Sequence, residues 1–146
     1  MTRKSNWPEL LADFLEEAKK DRKFSYGEHG CALFTADAIS VMTGQDPAAF
    51  FRNAYKGKGG ATRILKKFAK GGLEKAVDKI TKDNGMEEIP VLLARRGDVV
   101  FIDTPLGSLI GIVNLDGKNA VSASNYSEER ALEPWPLSGC RRAWRV

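Results

Sequence analysis

Cys31 is the side chain whose type and position in this sequence best suit covalent chemistry. It ends the segment Gly27-Glu28-His29-Gly30-Cys31 and begins a run with strong helical character that reaches residue 43. A thiol in the first turn of a helix lies near unpaired backbone N–H groups and the positive end of the helix dipole, and both favour the thiolate. The sequence therefore makes Cys31 a candidate nucleophile.

A cysteine nucleophile also needs a base, which is usually a histidine. His29 is the one histidine among the 146 residues, and it lies two residues before Cys31. Residues at this spacing around a helix start rarely face each other, so His29 is either an unusual base or a loop histidine near the surface. Two interpretations of Cys31 also stay open: an active nucleophile, or a buried remnant that packs as a small hydrophobic residue.

Composition predicts one soluble globular domain over residues 1–146. Hydrophobic residues make up 42% and charged residues 29%, and no apolar run approaches the roughly 20 residues that a membrane-spanning helix needs. No signal peptide is evident, so we expect synthesis and retention in a bacterial cytoplasm. Two cysteines do not form a disulfide framework, although one bridge stays open. No spacing of cysteine and histidine fits a metal site, and we expect no cofactor.

The positive charge is concentrated in two places. The net charge is +4, six basic residues occur between residues 56 and 70 without an acid among them, and Arg141, Arg142 and Arg145 end the sequence. Such stretches either bind nucleic acid or an acidic partner, or form a solvated surface. Because no recognised DNA- or RNA-binding motif is present, we do not expect nucleic acid as a partner.

The first half of the chain has helical periodicity. Asn6 and Glu9 fit a capping box, and Gly44 and Asn84-Gly85 are suitable helix ends. These patterns predict helices over residues 7–20 and 31–43, one that begins at Leu73 and ends at Asn84-Gly85, a further one around residues 64–68, and a short one that begins at Asp46-Pro47.

The second half has the character of strands. Segments rich in β-branched residues predict strands over residues 98–102, 109–113, 119–123 and 142–146, with a hairpin at Asp116-Gly117. Helices followed by an antiparallel sheet indicate an α+β fold, in which N-terminal helices pack on a C-terminal antiparallel sheet.

This organisation resembles the NlpC-type cell-wall peptidases, a branch of the papain-like cysteine hydrolases. Tyr26-Gly27 to Cys31 is similar to the nucleophile segment, residues 96–101 to the Gly-Asp strand, and residues 109–113 to the strand that carries the catalytic histidine. The resemblance implies a papain-like fold, places Leu109 at the position of the histidine, and places the third polar residue at or near Ser122. Leucine cannot accept a proton, so this alignment implies a site that has lost its base.

The sequence also resembles a small family of uncharacterised phage and prophage proteins. The shared motifs are Trp7-Pro8, the Cys31 helix over residues 24–36, the Thr-Gly-x-Asp-Pro turn at 43–47, Ala-Arg-Arg-Gly-Asp at 94–98 and Ala-Trp-Arg-Val at 143–146. This resemblance implies a role in a virion, at or near the tail tip. The implied partners are other phage tail or virion proteins, with self-association left open.

Two hypotheses of function follow. In the first, the protein keeps a degenerate cysteine-peptidase fold and serves as a structural or assembly protein of the tail. In the second, it is an active cysteine peptidase or amidase that cleaves peptidoglycan stem peptides, with His29 or another subunit as the source of the base.

Further residues have two interpretations each. Asp98 either orients a catalytic group or forms a turn before its strand. Trp7, Trp135 and Trp144 either form a ligand cleft or serve as core and interface anchors.

Overall fold

The computed structural model describes residues 1–20, 30–49, 72–105, 107–123 and 131–146. Within these ranges the protein has an α+β fold with three α-helices and a six-stranded antiparallel sheet. Helix α1 is Trp7–Lys20, helix α2 is Gly30–Thr43 and helix α3 is Leu73–Asp83. The α+β class predicted from the order of helical and strand patterns is confirmed.

The helix ends follow local backbone chemistry. Gly44 follows α2 with a φ of 79°, a conformation that favours glycine, and its N–H donates to the Ser40 carbonyl over 2.8 Å. After α3, the Asn84 side chain donates to the Ile80 carbonyl over 2.8 Å, and Gly85 has a φ of 67°. The predicted ends of these helices are confirmed because the signals that set them are local in sequence.

The sheet is built from six strands in the order β1-β6-β2-β3-β4-β5. Their bounds are β1 Glu88–Ile89, β2 Val99–Thr104, β3 Gly107–Val113, β4 Asn119–Ala123, β5 Leu132–Pro136 and β6 Cys140–Trp144. The predicted pairing of the strands around residues 98–102 and 109–113 is confirmed. The last strand lies two residues earlier than predicted, and the amide of Val146 binds the side chain of Asp98 instead of a neighbouring strand.

The two edge strands of the described sheet, β1 and β5, were not predicted from the sequence. Strand β1 has only two residues, too few for an alternating pattern. Strand β5 contains Pro134 and Pro136, which pair in register with Val121 and Asn119 of β4. Proline has no N–H to donate, so two prolines in a segment argue against predicting a strand there. Proline is nevertheless compatible with a strand at the edge of a sheet.

The sheet separates two hydrophobic clusters. The helical-face cluster joins the sheet to α1 and α2, and the reverse-face cluster lies on the other side, against the short 3-10 turns Val91–Leu93 and Leu137–Gly139. Members of the helical-face cluster include Leu11, Cys31, Phe34, Met42, Phe101, Ile110, Ile112, Val121 and Trp144. Members of the reverse-face cluster include Ile89, Val100, Ile102, Val113, Ala120 and Ala143.

Helix α3 is attached to the sheet by arginines of β6. Arg142 forms ion pairs with Glu74 at 3.2 Å and with Asp78 and Glu88 at 2.6 Å each. Arg141 binds Glu74 at 2.8 Å, and hydrogen bonds from Arg141 above all lower the pKa of this carboxyl to about 2. Two of the arginines that the sequence offered as a basic surface are therefore used within the protein.

Several sequence predictions lie outside the described residues. These are the helix around residues 64–68, the basic stretch at 56–70, the nucleophile segment before Gly30 with His29, and most of the short helix that begins at Asp46. Of that last helix the structure describes the start, where the Asp46 carboxylate accepts the Ala48 N–H over 2.9 Å.

Candidate functional site around Cys31

Cys31 lies in the first turn of α2, on the side of the helix that faces the sheet. Only 5% of the residue is exposed, and it belongs to the helical-face cluster together with Phe34 and Ile110. The Thr35 hydroxyl donates to the Cys31 carbonyl over 2.8 Å, one turn along the helix. The predicted position of this cysteine at a helix start is confirmed, but its sulfur is packed among apolar side chains.

Burial controls the acidity of this thiol. It raises the pKa of Cys31 above its ordinary value, whereas backbone hydrogen bonds to Ile110, Ala32 and Cys31 itself act in the opposite direction. The backbone groups at the helix start thus favour the thiolate, as the sequence suggests, but desolvation outweighs them. A catalytic cysteine requires the reverse balance.

The strand residue beside the thiol is Ile110. In the register of β2 and β3, Ile110 lies opposite Phe101, and Leu109 lies opposite Ile102. Phe101 and Ile110 belong to the helical-face cluster with Cys31, whereas Ile102 belongs to the reverse-face cluster. Because opposite residues in a sheet share a face, the half-buried Leu109 projects to the reverse face, although it borders both clusters.

Ser122 is also on the face of the sheet away from Cys31. Its neighbours Val121 and Ala123 belong to the helical-face cluster, and successive strand residues alternate between faces. The Ser122 side chain is fully buried and its hydroxyl donates to the Ile110 carbonyl over 2.8 Å. The structure therefore brings Cys31 to the backbone of Ile110, and it does not bring Leu109 or Ser122 to the thiol.

Strands β3 and β4 approach each other closely at Gly111. A Cβ at this position would lie 2.4 Å from the Val121 carbonyl oxygen and 3.3 Å from the Ser122 Cβ. This glycine in the Ile-Gly-Ile segment is therefore required by backbone packing, independently of any catalytic role.

A small cavity lies between α2 and α3, next to the Cys31 turn. It has a volume of about 60 Å³, and its described lining is aliphatic except for Thr35 and Thr81. Both threonine hydroxyls donate to carbonyls of their own helices, Thr35 to Cys31 and Thr81 to Val77, each over 2.8 Å. Within the described part of the lining, both hydroxyl protons are therefore already donated to backbone carbonyls and are not available to orient a polar substrate.

Asp98 forms the turn that leads into β2. Its N–H donates to the Arg95 carbonyl and its Oδ2 accepts the Arg95 N–H, each over 2.9 Å, while Gly97 between them has a φ of 83°. Asp98 is nevertheless fully buried, which is rare for a carboxylate unless it is paired. Of the two interpretations that the sequence left open, the structure shows the turn.

The partners of the buried carboxylate come from both ends of the described chain. Arg3 Nη2 lies 2.7 Å from Asp98 Oδ1, the Val146 N–H donates to the same oxygen over 3.1 Å, and Arg145 Nε lies 3.5 Å from Oδ2. Arg3 could not be predicted as a partner from the sequence, because no local pattern connects it to Asp98.

The three tryptophans do not share one cleft. Trp144 is 2% exposed within the helical-face cluster, and Trp7 borders the same cluster. Trp135 borders the reverse-face cluster, so the sheet separates it from the other two.

Neither a metal centre nor a membrane-spanning helix is present among the described residues. In those ranges no three His, Cys, Asp or Glu side chains are placed to hold a metal ion. None of the helices described is long and apolar enough to cross a membrane.

No curated protein and no solved structure matches the chain. Residues 2–146 match the family described as "Domain of unknown function (DUF6950)". Over nearly its whole length, the chain is a member of the DUF6950 family.

Proposed function

We propose that this protein is a structural or assembly component of a phage or prophage particle, associated with the tail, and that it retains a papain-like, NlpC-like fold without the chemistry. The observation that carries the non-catalytic part is the setting of Cys31. Its sulfur is buried against the backbone of an aliphatic strand residue, Ile110, and burial raises its pKa. Each of these features opposes nucleophilic attack.

The fold part of the proposal is supported by the position of α2 against the sheet. A cysteine at the start of this helix packs on β3, the strand that the NlpC resemblance assigns to the catalytic histidine. Leu109 and Ile110, the two residues of β3 nearest that assignment, are both aliphatic. A loss of the base is therefore implied whichever of them occupies the position.

The tail assignment depends on the resemblance of five motifs, in order along the chain, to phage and prophage proteins. Three of the five motifs that resemble the phage proteins contribute to one structural cluster: Trp7-Pro8, residues 94–98 and residues 143–146 contain Trp7, Arg95, Arg96, Asp98 and Arg145. These three segments therefore contribute to a shared part of the surface, although Trp144 and Trp7 also pack in or against the helical-face cluster.

The alternative is an active peptidase or amidase. The position of Cys31 in the first turn of α2 favours this alternative, because backbone hydrogen bonds act to lower its pKa against the larger effect of burial. It then needs a base from His29 or another subunit, and a movement that exposes the sulfur.

Cleavage of cell-wall fragments distinguishes the two functions. Purified wild type and Cys31→Ala are incubated with peptidoglycan stem peptides, and mass spectrometry follows the products. We expect no difference between the two proteins. Turnover by the wild type that Cys31→Ala abolishes would establish the peptidase instead.

The particle part has a separate test. Phage particles are purified from a host that carries the gene, and their proteins are quantified by mass spectrometry. We expect the protein, and equally its Cys31→Ala variant, at a fixed ratio to other tail proteins. Particles that form normally but lack the protein would refute a virion role.

A further inference from the structure

An open groove lies around the buried Asp98, on a different part of the protein from Cys31. It has a volume of about 380 Å³, and we call it the arginine groove. Its lining consists of Arg3, Trp7, Arg95, Arg96, Asp98, Arg145 and Val146. The side chains of this lining carry four positive charges and one negative charge.

One of the four arginines is fully used by the protein. Arg3 donates from Nε to the backbone oxygen of Val146 over 3.0 Å, from Nη1 to the Arg96 carbonyl over 2.7 Å and from Nη2 to Asp98 over 2.7 Å. Asp98 in turn is satisfied by this arginine and by two backbone amides. Arg3 and Arg145 thus both pair with this side-chain carboxylate, and Arg95 and Arg96 are the arginines of the lining that have no ion pair among the described residues.

Arg95 and Arg96 are the charges that remain available. Both residues are exposed, and neither forms an ion pair with any part of the chain that the structure describes. The guanidinium of Arg96 lies 5.6 Å from the centre of the Trp7 ring, on which Arg3 also lies at 4.3 Å. Arg96 therefore has a cation–π contact with the ring, which leaves its charge unpaired.

An exposed apolar surface adjoins this charge. Leu92 is 97% exposed and Leu93 is 58% exposed, and these are the large hydrophobic residues most exposed in the described chain. Arg145 Nη2 donates to the Leu93 carbonyl over 2.8 Å, which joins the Val91–Leu93 turn to the groove. Arginine and tryptophan are enriched at protein interfaces, and exposed apolar side chains beside polar ones are typical of a protein-binding surface, whereas phosphate makes no favourable contact with leucine.

We propose that the arginine groove, together with Leu92 and Leu93, docks an acidic segment of a partner protein. Carboxylates of the partner bind the guanidinium groups of Arg95 and Arg96, with the paired geometry that arginine allows. Apolar side chains of the same segment cover the two leucines. This inference goes beyond the proposed function and holds or fails independently of it, since docking is measurable on the purified protein.

The test uses the full chain and a fluorescein-labelled peptide, Glu-Leu-Glu-Glu-Leu-Glu, with binding followed by fluorescence anisotropy. We expect saturable binding that weakens with salt. Arg95→Gln/Arg96→Gln should weaken it at least about tenfold, because two charge-assisted pairs are lost. Leu92→Ser should weaken it by about threefold or more, and this change leaves a 97% exposed position otherwise intact.

The matched control is Lys75→Gln/Lys82→Gln, which removes two charges from exposed positions of α3. We expect its affinity to stay within about twofold of the wild type, since long-range effects of exposed charges are screened. Circular dichroism confirms that each variant is folded.

Three results would overturn the inference. One is the absence of saturable binding, and another is equal affinity for the peptide with glutamine in place of glutamate. The third is a combination of two observations: inorganic phosphate or a short oligonucleotide displaces the peptide at equal charge, and Leu92→Ser does not change the affinity for the peptide. This combination would identify a general anion site.

Discussion

Arg3 and Asp98 are 95 residues apart in the chain, yet Arg3 Nη2 lies 2.7 Å from Asp98 Oδ1. Their side chains are 17% and 0% exposed, so this ion pair is largely removed from water. It fastens the segment before α1 to the turn before β2, and the amide of Val146 binds the same oxygen. One carboxylate therefore organises three distant parts of the chain.

Removing this carboxylate should be strongly destabilising. Asp98→Asn leaves Arg3 without its counter-charge in a mostly buried position, which costs about 3–5 kcal/mol when one partner of a buried pair is lost. Chemical denaturation measures the change in the free energy of unfolding. The control is Asp103→Asn, whose exposed carboxylate pairs with Arg141 at 2.6 Å and should matter much less. Equal losses in the two variants would contradict a central role of Asp98.

Gly111→Ala tests the close approach of β3 and β4. The added methyl group would lie 2.4 Å from the Val121 carbonyl oxygen, so the strands must separate. We expect a loss of at least about 2 kcal/mol in the free energy of unfolding. Gly139→Ala is the matched control, because its added Cβ meets no atom within 4 Å and its φ is not in the left-handed region. A well-tolerated Gly111→Ala would show that the two strands can move apart.

The attachment of α3 depends on Arg142. Arg142→Ala removes its ion pairs with Glu74, Asp78 and Glu88 and its contact at 4.7 Å with the Trp144 ring. We expect a loss of about 1–2 kcal/mol in the free energy of unfolding. Amide hydrogen exchange should accelerate relative to the wild type, and more in α3 than in α1. Lys19→Ala breaks a single exposed pair within a helix and should change stability by less than about 0.5 kcal/mol. Unchanged exchange in α3 would argue against the attachment.

Alkaline pH should destabilise the protein through Cys31. Burial raises the pKa of this thiol in the folded state, so the unfolded chain loses the proton first, near its ordinary pKa of about 8.5. Above that pH the unfolded state binds fewer protons than the folded state, and stability falls with pH by about 1.4 kcal/mol per unit until the folded pKa is reached.

Urea unfolding at pH 8 and pH 10 measures this fall, and Cys31→Ala should lose less stability over the same interval. Cys140, whose pKa burial raises to about 11, is present in both proteins and so cancels in the comparison. Identical pH dependence of the two proteins would contradict the burial of the Cys31 thiol.

The strand register predicts which substitution can act on the thiol. Ile110→His places an imidazole on the face of β3 that Cys31 contacts, whereas Leu109→His places it on the reverse face. Alkylation rates against pH should show the Cys31 pKa lowered by about one unit or more in Ile110→His alone. Cys140→Ser in the background removes the other thiol, and circular dichroism identifies variants that fold. A lowered pKa in Leu109→His would mean that the register assigns the wrong face.

Much of the helical layer could be predicted because its signals are local. The Asn6 and Glu9 pattern before α1 and the glycines after α2 and α3 predict the ends of these helices within a few residues. Strands β1 and β5 could not be predicted, since one is too short for a periodic pattern and the other contains Pro134 and Pro136. Their pairing comes from neighbouring strands and not from their own composition.

The candidate site was predictable only in part. The helical position of Cys31 follows from its sequence, but its burial depends on Ile110, 79 residues later. Motif alignment brought Leu109 to the base position, and a difference of one residue along a strand reverses the face to which a side chain points. The partners of Asp98 are equally remote, because Arg3 and Val146 reach it only through the tertiary fold.

The prolines of β5 have a consequence for how copies of this protein can associate. Proline at two of the five positions of β5 removes N–H donors with which a strand of another molecule would pair. At the opposite edge, β1 has only two residues. Within the described sheet, neither side is a template for continuous extension from molecule to molecule. These two edges therefore disfavour strand-to-strand association between copies of the protein.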